Sequence, residues 1–332
     1  MRRFIPVVGL FALLVVAAMP SAVSAQTYED AVNAYNQGDE LARTGKHKDA
    51  IAAFERVINI AGRLEGDQGT EIAKKASDYI PQLHFAYSVG LAREGKMLEA
   101  ATAFERTIAE SRKYNNTNFA QRAQQGLLQA YYTAGNQALQ AKEFDRAIEL
   151  YDKTITVQPT FAQAYYNKGL ALRNLNRGEE ALAQYDKAIQ LAASSRNNQI
   201  QEAATNAARN YLLVSAAAMK EAKKYPEAVA YLAQAIEYKE ADAELHYRLA
   251  EVYNLQAEFD KAIVSANRAL VLEQGGPVDR ARIWFELANA LKFKANVSAA
   301  CEAYKNASYG DFRANAEHSM THELKCSTVN NR

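Results

Sequence analysis

Residues 41–58 read LARTGKHKDAIAAFERVI and residues 91–108 read LAREGKMLEAATAFERTI, with the same residue at 11 of 18 places. Each copy is the end of one amphipathic helix, a short Gly/Lys turn, and the start of a second helix. That second helix carries Ala, an aromatic residue four positions on, and a small or β-branched residue three after that. Two antiparallel helices approach closely only where the facing side chains are small, and a large ring fills the hole left beside them. The phrase therefore specifies a helix pair, and its repetition specifies a stack of pairs.

Fainter copies follow along the chain, each marked by a small residue early in the second helix: Ala50, Ala100, Ala147, Ala181, Ala228, Ala262 and Ala300. Their intervals are 50, 47, 34, 47, 34 and 38 residues. The best-formed copy, FAQAYYNKGLALRNLNRGEEALAQYDKAIQL at 161–191, carries Tyr165, Gly169, Leu172, Ala181, Tyr185 and Ala188. The seventh carries Trp284, Leu287, Ala288, Leu291, Ala300, Tyr304 and Ala307. Spacing and residues together resemble the tetratricopeptide repeat (TPR) family, whose period is 34 residues. The resemblance implies an all-α, right-handed TPR solenoid of about seven helix-turn-helix repeats, near 31–62, 81–112, 128–159, 162–193, 209–240, 243–274 and 281–310.

The longer intervals hold added segments, GRLEGDQGTEIAKKASDYI, SRKYNNTNFAQRAQQG and SSRNNQIQEAATNAAR. Each is a polar loop running into an Ala-rich stretch, which predicts first helices lengthened at their N-terminal ends. Pro81 is expected to kink or restart the helix of the second repeat, because a helix interior tolerates Pro poorly. Residues 311–326, DFRANAEHSMTHELKC, read as one capping helix with Phe312, Met320 and Leu324 inward. A solenoid needs such a lid on its last apolar face. Residues 327–332 read as a tail.

At the other end, residues 1–25 are MRRFIPVVGLFALLVVAAMPSAVSA: two arginines, an apolar run from Phe4 to Met19, and a small-residue ending. This pattern is a secretory signal peptide with cleavage after Ala25. The competing reading is an uncleaved anchor, but a 16-residue run is shorter than the roughly 20 residues a spanning helix needs. Export to a bacterial periplasm, without membrane insertion after cleavage, is the expectation. Removal of the signal leaves 37 basic against 38 acidic residues. Near-neutrality argues against nucleic acid or a strongly charged partner. In an oxidising compartment Cys301 and Cys326 either form a disulfide, closing a loop worth roughly 3 kcal/mol, or stay free; helix register decides, and sequence does not give register.

The TPR resemblance implies that first helices line a concave groove holding a protein or peptide partner. The family's inward-facing places fall at Tyr35, Phe85, Tyr132, Tyr166, Leu213, Tyr247 and Phe285, six of seven aromatic. Such rings either present platforms to a partner, as Tyr does at interfaces, or pack between repeats. Asn136 and Asn167 occupy places that, in family members clamping a terminal carboxylate, are joined by three basic residues. Here those three places hold Tyr132, Asn210 and Val214, so a carboxylate clamp is not expected. The amides can still meet a partner's backbone or satisfy polar groups between repeats. Arg173, Lys220, Arg248, Glu251 and Lys292 are expected on or near the same face, a mixed field favouring neither acidic nor basic ligands.

No P-loop, GxSxG, HExxH or Gly-rich dinucleotide turn is present in the sequence. His84 and His246 fall at core-type places in separate repeats. The reading is a scaffold or adaptor that is not an enzyme and needs no cofactor, with self-association through its end repeats as a second binding mode. The alternative is a metal-binding or redox-sensitive site: His318, His322 and Cys326, four apart, share one face of a continuous helix and would converge on zinc or copper.

Overall fold

The computed structural model describes residues 27–326; the expected signal sequence at 1–25 and tail at 327–332 lie outside the described residues. Among these residues every regular element is helical, from α1 to α15. They fall into two compact units divided within α5, between Leu127 and Leu128. None of the described helices is long and apolar enough to cross a membrane.

The first unit contains α1 (Tyr28–Arg43), α2 (His47–Ala61), α3 (Asp67–Arg93), α4 (Met97–Lys113) and the beginning of α5 (Thr117–Gln140). The second holds the rest of α5, then α6 (Phe144–Val157), α7 (Ala162–Asn174), α8 (Gly178–Ser194), α9 (Asn198–Glu221) and α10 (Tyr225–Tyr238). It continues with α11 (Ala243–Leu255), α12 (Phe259–Leu272), α13 (Pro277–Phe293) and α14 (Val297–Ala307). Within each unit successive helices pack against one another, and first helices also touch across repeats: α1 with α3, α7 with α9, and α11 with α13.

The seven marker alanines are fully buried, because a methyl is all the close crossing admits. The ring four residues on is buried at Phe54, Phe104, Tyr151, Tyr185 and Tyr304, whereas Leu232 and Ala266 stand in its place in the fifth and sixth repeats. Facing it sixteen residues earlier is a small residue. A Cβ on Gly135 would come within 2.7 Å of the Tyr151 ring, and one on Gly169 within 2.5 Å of Tyr185, so these glycines are required by contact.

All seven turns inside the pairs reverse through a left-handed residue: Gly45, Gly95, Lys142, Asn176, Lys223, Ala257 and Ala295. The next amide then bonds five residues back, as Lys46 to the Leu41 carbonyl at 2.9 Å and Glu258 to Tyr253 at 2.9 Å. This satisfies carbonyls the helix end would leave bare. Only the first two turns use glycine.

The lengthened first helices expected from the long intervals are present as α3, α5 and α9, with 27, 24 and 24 residues. The expected restart at Pro81 does not occur, since α3 runs through that residue, which is buried within it. The tertiary packing of a 27-residue helix outweighs one lost backbone hydrogen bond. The segment expected as one capping helix is in three pieces: a 3-10 turn (Gly310–Phe312), α15 (Arg313–His318) and a π turn (Ser319–Glu323). Its wide turn is closed by the Leu324 amide on the Ser319 carbonyl at 2.9 Å. Met320 and Leu324 do pack half-buried against the core, and Phe312, also half-buried, packs on Phe285.

Candidate functional site

The first helices α5 and α7 bring together residues from two repeats. Asn136 lies fifteen residues before Tyr151, which puts its amide at the edge of the buried ring; its Oδ1 accepts from the Tyr151 hydroxyl at 2.8 Å. The same oxygen accepts from Asn167 Nδ2 at 2.9 Å, and that nitrogen also donates to the Tyr132 hydroxyl at 3.2 Å. Burial raises the Tyr151 hydroxyl above the ordinary tyrosine range and keeps it a donor. Tyr132 stacks edge-on against Phe161 with ring centres 5.1 Å apart. Among the described residues Asn136 Nδ2 and Asn167 Oδ1 have no hydrogen-bond partner, leaving one amide donor and one amide acceptor on two bonded side chains. A peptide unit offers an acceptor and a donor complementary to these.

The other expected groove residues divide by environment. Tyr166 tilts over Tyr185, 6.2 Å between ring centres, with Arg173 exposed nearby. Tyr35 and Phe85 lie in the first unit. Tyr35 packs edge-on with Phe54 and Tyr79, and Phe85 packs with Phe104 and Phe119 under the Arg122 guanidinium. Phe285 is covered from one side by Tyr304 and from the other by Phe312. Tyr247 is buried rather than displayed, its ring held between the Arg248 and Arg282 guanidinium groups, each 4.9 Å from its centre. Burial, with the nearby Glu251 charge, pushes its hydroxyl up to about 12.

Around Tyr247 lies a chain of alternating charges that sequence reading met only in part. Lys220 bonds Glu251 at 2.7 Å, Glu251 takes Arg248 at 3.2 Å, Arg248 reaches Glu244 at 2.8 Å, Glu244 takes Arg282 at 2.6 Å, and Arg282 reaches Glu273 at 3.3 Å. Asn254 donates to the Glu286 carboxylate at 2.8 Å beside it. Burial holds Glu286 above the usual carboxylate range, and the Glu251 charge adds to this against the Asn254 bond. The bonds that cross between repeats, Lys220–Glu251, Asn254–Glu286 and Arg282–Glu244, span 31, 32 and 38 residues, so an offset of about one repeat was the available signal for these.

Between α9, α10 and α11 the same side opens into a cavity of about 180 Å³, with Leu232, Ala216 and Val252 at its base and Lys220, Arg248 and Glu251 at its rim.

The alternative site on the last helix is corrected by the structure. Cys301 and Cys326 form a disulfide, Cα atoms 5.7 Å apart, so Cys326 offers no thiolate to a metal. The π turn also breaks the register that would have set His318, His322 and Cys326 on one face. The two imidazoles lie tilted against each other, 4.8 Å between centres. Of the core-type histidines, His84 is buried, and burial with the Arg106 charge lowers its pKa. His246 is half-exposed and meets the Glu240 carbonyl at 3.1 Å.

Structures similar in fold include MamA from Desulfovibrio magneticus RS-1, 19% identical over 58% of this chain and 96% of its own, TM-score 0.33. The TPR2AB domain of yeast Sti1 in complex with pHSP90 is 14% identical over 90% and 97%, TM-score 0.33. The C-terminal part of a TPR repeat-containing protein from Cytophaga hutchinsonii is 17% identical over 74% and 89%, TM-score 0.39. No curated protein matches the chain. Family models for the tetratricopeptide repeat match residues 132–198 and 216–279 in one case and 28–63 in another, together about half of the sequence. With helix pairs, buried marker alanines and reversing turns repeated along both units, the chain belongs to the tetratricopeptide repeat family, whose repeats are generally non-catalytic protein-interaction modules.

Proposed function

We propose that the protein is a scaffold or adaptor that binds an extended segment of a partner protein along the first-helix face of its second unit, in the bacterial periplasm after export. The observation that carries this reading is the unmatched amide pair of Asn136 and Asn167, fixed by Tyr132 and Tyr151 and flanked by the half-exposed Tyr166 ring. Donors and acceptors held by their neighbours lose little freedom on binding, so the ordering cost falls on the partner. The balanced charges farther along favour a segment without strong charge of either sign. Export is supported by the 1–25 pattern and by a disulfide of the kind that persists in oxidising compartments.

A photo-crosslinking amino acid placed at Tyr166, compared with one at Val264 on a second helix, tests the binding face in the native envelope fraction. A defined partner joined from 166 and not from 264 is expected; the reverse would move the site to the second-helix side. Mass analysis of the purified native chain reads export directly, and a chain beginning at Gln26 is the expected result.

A further inference from the structure

The fifth repeat is the one place where both ring positions of the pattern are filled by leucine. The second-helix ring, buried as Phe54, Phe104, Tyr151, Tyr185 and Tyr304 in five repeats and replaced by Ala266 in the sixth, is Leu232 here. The inward place, aromatic in the other six repeats, is Leu213. The two missing rings leave the cavity of about 180 Å³ above Leu232, Ala216 and Val252. An apolar cavity of about 150 Å³ accepts benzene, so the space admits a six-membered ring. At its mouth Val214 is 69% exposed, an apolar side chain that no described residue covers.

The rim decides what kind of ring. Lys220 and Arg248 each bond Glu251, and the chain continues from Arg248 through Glu244 and Arg282 to Glu273, three cations alternating with three carboxylates. An anionic or cationic group would have to break one of these pairs to gain another, at the cost of leaving a half-buried charge without its partner. An uncharged ring displaces only water.

From this we infer that the cavity is the anchor pocket of the fifth repeat, taking one uncharged aromatic side chain of the partner's segment in the place a buried ring of the protein fills in other repeats. The inference rests on the binding face proposed above and adds what the segment must carry. Large rings seated in central pockets dominate the energy of many interfaces.

The test uses toluene as an uncharged ring, read by methyl NMR at Val214 and Val252. Two variants close the site independently. Leu232→Phe restores the ring from below, and the Ala288–Tyr304 pairing shows that alanine faces a buried ring in this chain. Ala217→Leu covers the mouth from an exposed position and leaves the core intact. Saturable shifts in the wild type, weakened at least tenfold in both variants, are expected. Random peptides selected on the wild type should be enriched in an aromatic residue and lose at least tenfold in affinity for Ala217→Leu. Absence of a saturable toluene shift, toluene binding equal in both variants, or selected peptides indifferent to Ala217→Leu would each overturn the inference. Peptides weakened by Asn167→Ala but not by Ala217→Leu leave the binding face standing and remove the anchor pocket. Peptides indifferent to both remove the binding face as well.

Discussion

Tyr151 donates its buried hydroxyl to Asn136 Oδ1 at 2.8 Å, across a fixed spacing of fifteen residues. Tyr304 and Asn289 repeat the arrangement at 2.7 Å with the same spacing. At the fourth repeat the spacing leads from Tyr185 to Leu170, and the Tyr185 hydroxyl is buried with no partner, its pKa pushed up to about 12 by burial. Removing a partnered hydroxyl loses a bond of about 1 kcal/mol, whereas removing an orphan relieves a desolvation cost. Tyr151→Phe is therefore expected to lower stability by about 1 kcal/mol, and Tyr185→Phe to leave it unchanged or raise it. Urea unfolding of the two variants checks the contrast.

The reversing turns make a prediction about backbone alone. Ala257 and Ala295 sit at φ of 58° and 56°, where an L residue is strained and glycine is not. Ala257→Gly is expected to stabilise by about 1 kcal/mol, and Gly45→Ala to destabilise by a similar amount, since a Cβ at Gly45 would touch nothing within 4 Å and only its φ of 76° opposes it. Thermal melts of both variants read the opposite signs.

Glu286 links folding to pH. Its carboxyl is held above the ordinary range in the folded chain, so between the unfolded and folded values the native state binds more protons than the unfolded one. Stability from this group is then present at low pH and lost as pH rises through the folded value. Glu286→Gln, which keeps an acceptor for Asn254 without the charge, is expected to melt higher than the wild type at pH 8. The two curves should converge as pH falls toward 4, and a wild-type advantage at pH 8 would contradict the assignment.

The Cys301–Cys326 bridge ties the last helical turns to α14. Reduction is expected to cost roughly 3 kcal/mol on a loop-entropy basis, concentrated at the C-terminal end. Hydrogen exchange should accelerate over 310–326 and α14 while α1 to α4 stay protected.

Much of this architecture was legible because seven alanines repeat with a helix-pair spacing and close packing admits little else at those positions. The turns were legible only at Gly45 and Gly95; Lys142, Lys223, Ala257 and Ala295 adopt the same conformation without the residue that announces it. The aromatic places of the first helices read equally as platforms for a partner or as packing between repeats, and at Tyr247 the ring is buried beside two guanidinium groups, from the adjacent Arg248 and the next repeat's Arg282. Asn136 and Asn167 were found by family position, yet their bond to each other depends on how α5 and α7 meet. The π turn at 319–323 precedes Cys326, whose bridge to Cys301 is a tertiary constraint absent from the local pattern.

The central claim is that the first-helix face of the second unit holds a partner's extended segment. The most direct measurement is the affinity of peptides selected on the wild-type protein for a Tyr166→Ala, Asn167→Ala variant whose circular dichroism matches the wild type. At least a tenfold loss is expected, with wild-type shifts on peptide binding centred on Tyr132, Asn136, Tyr166 and Asn167. Equal affinity for both proteins, with shifts on the second helices instead, would contradict it.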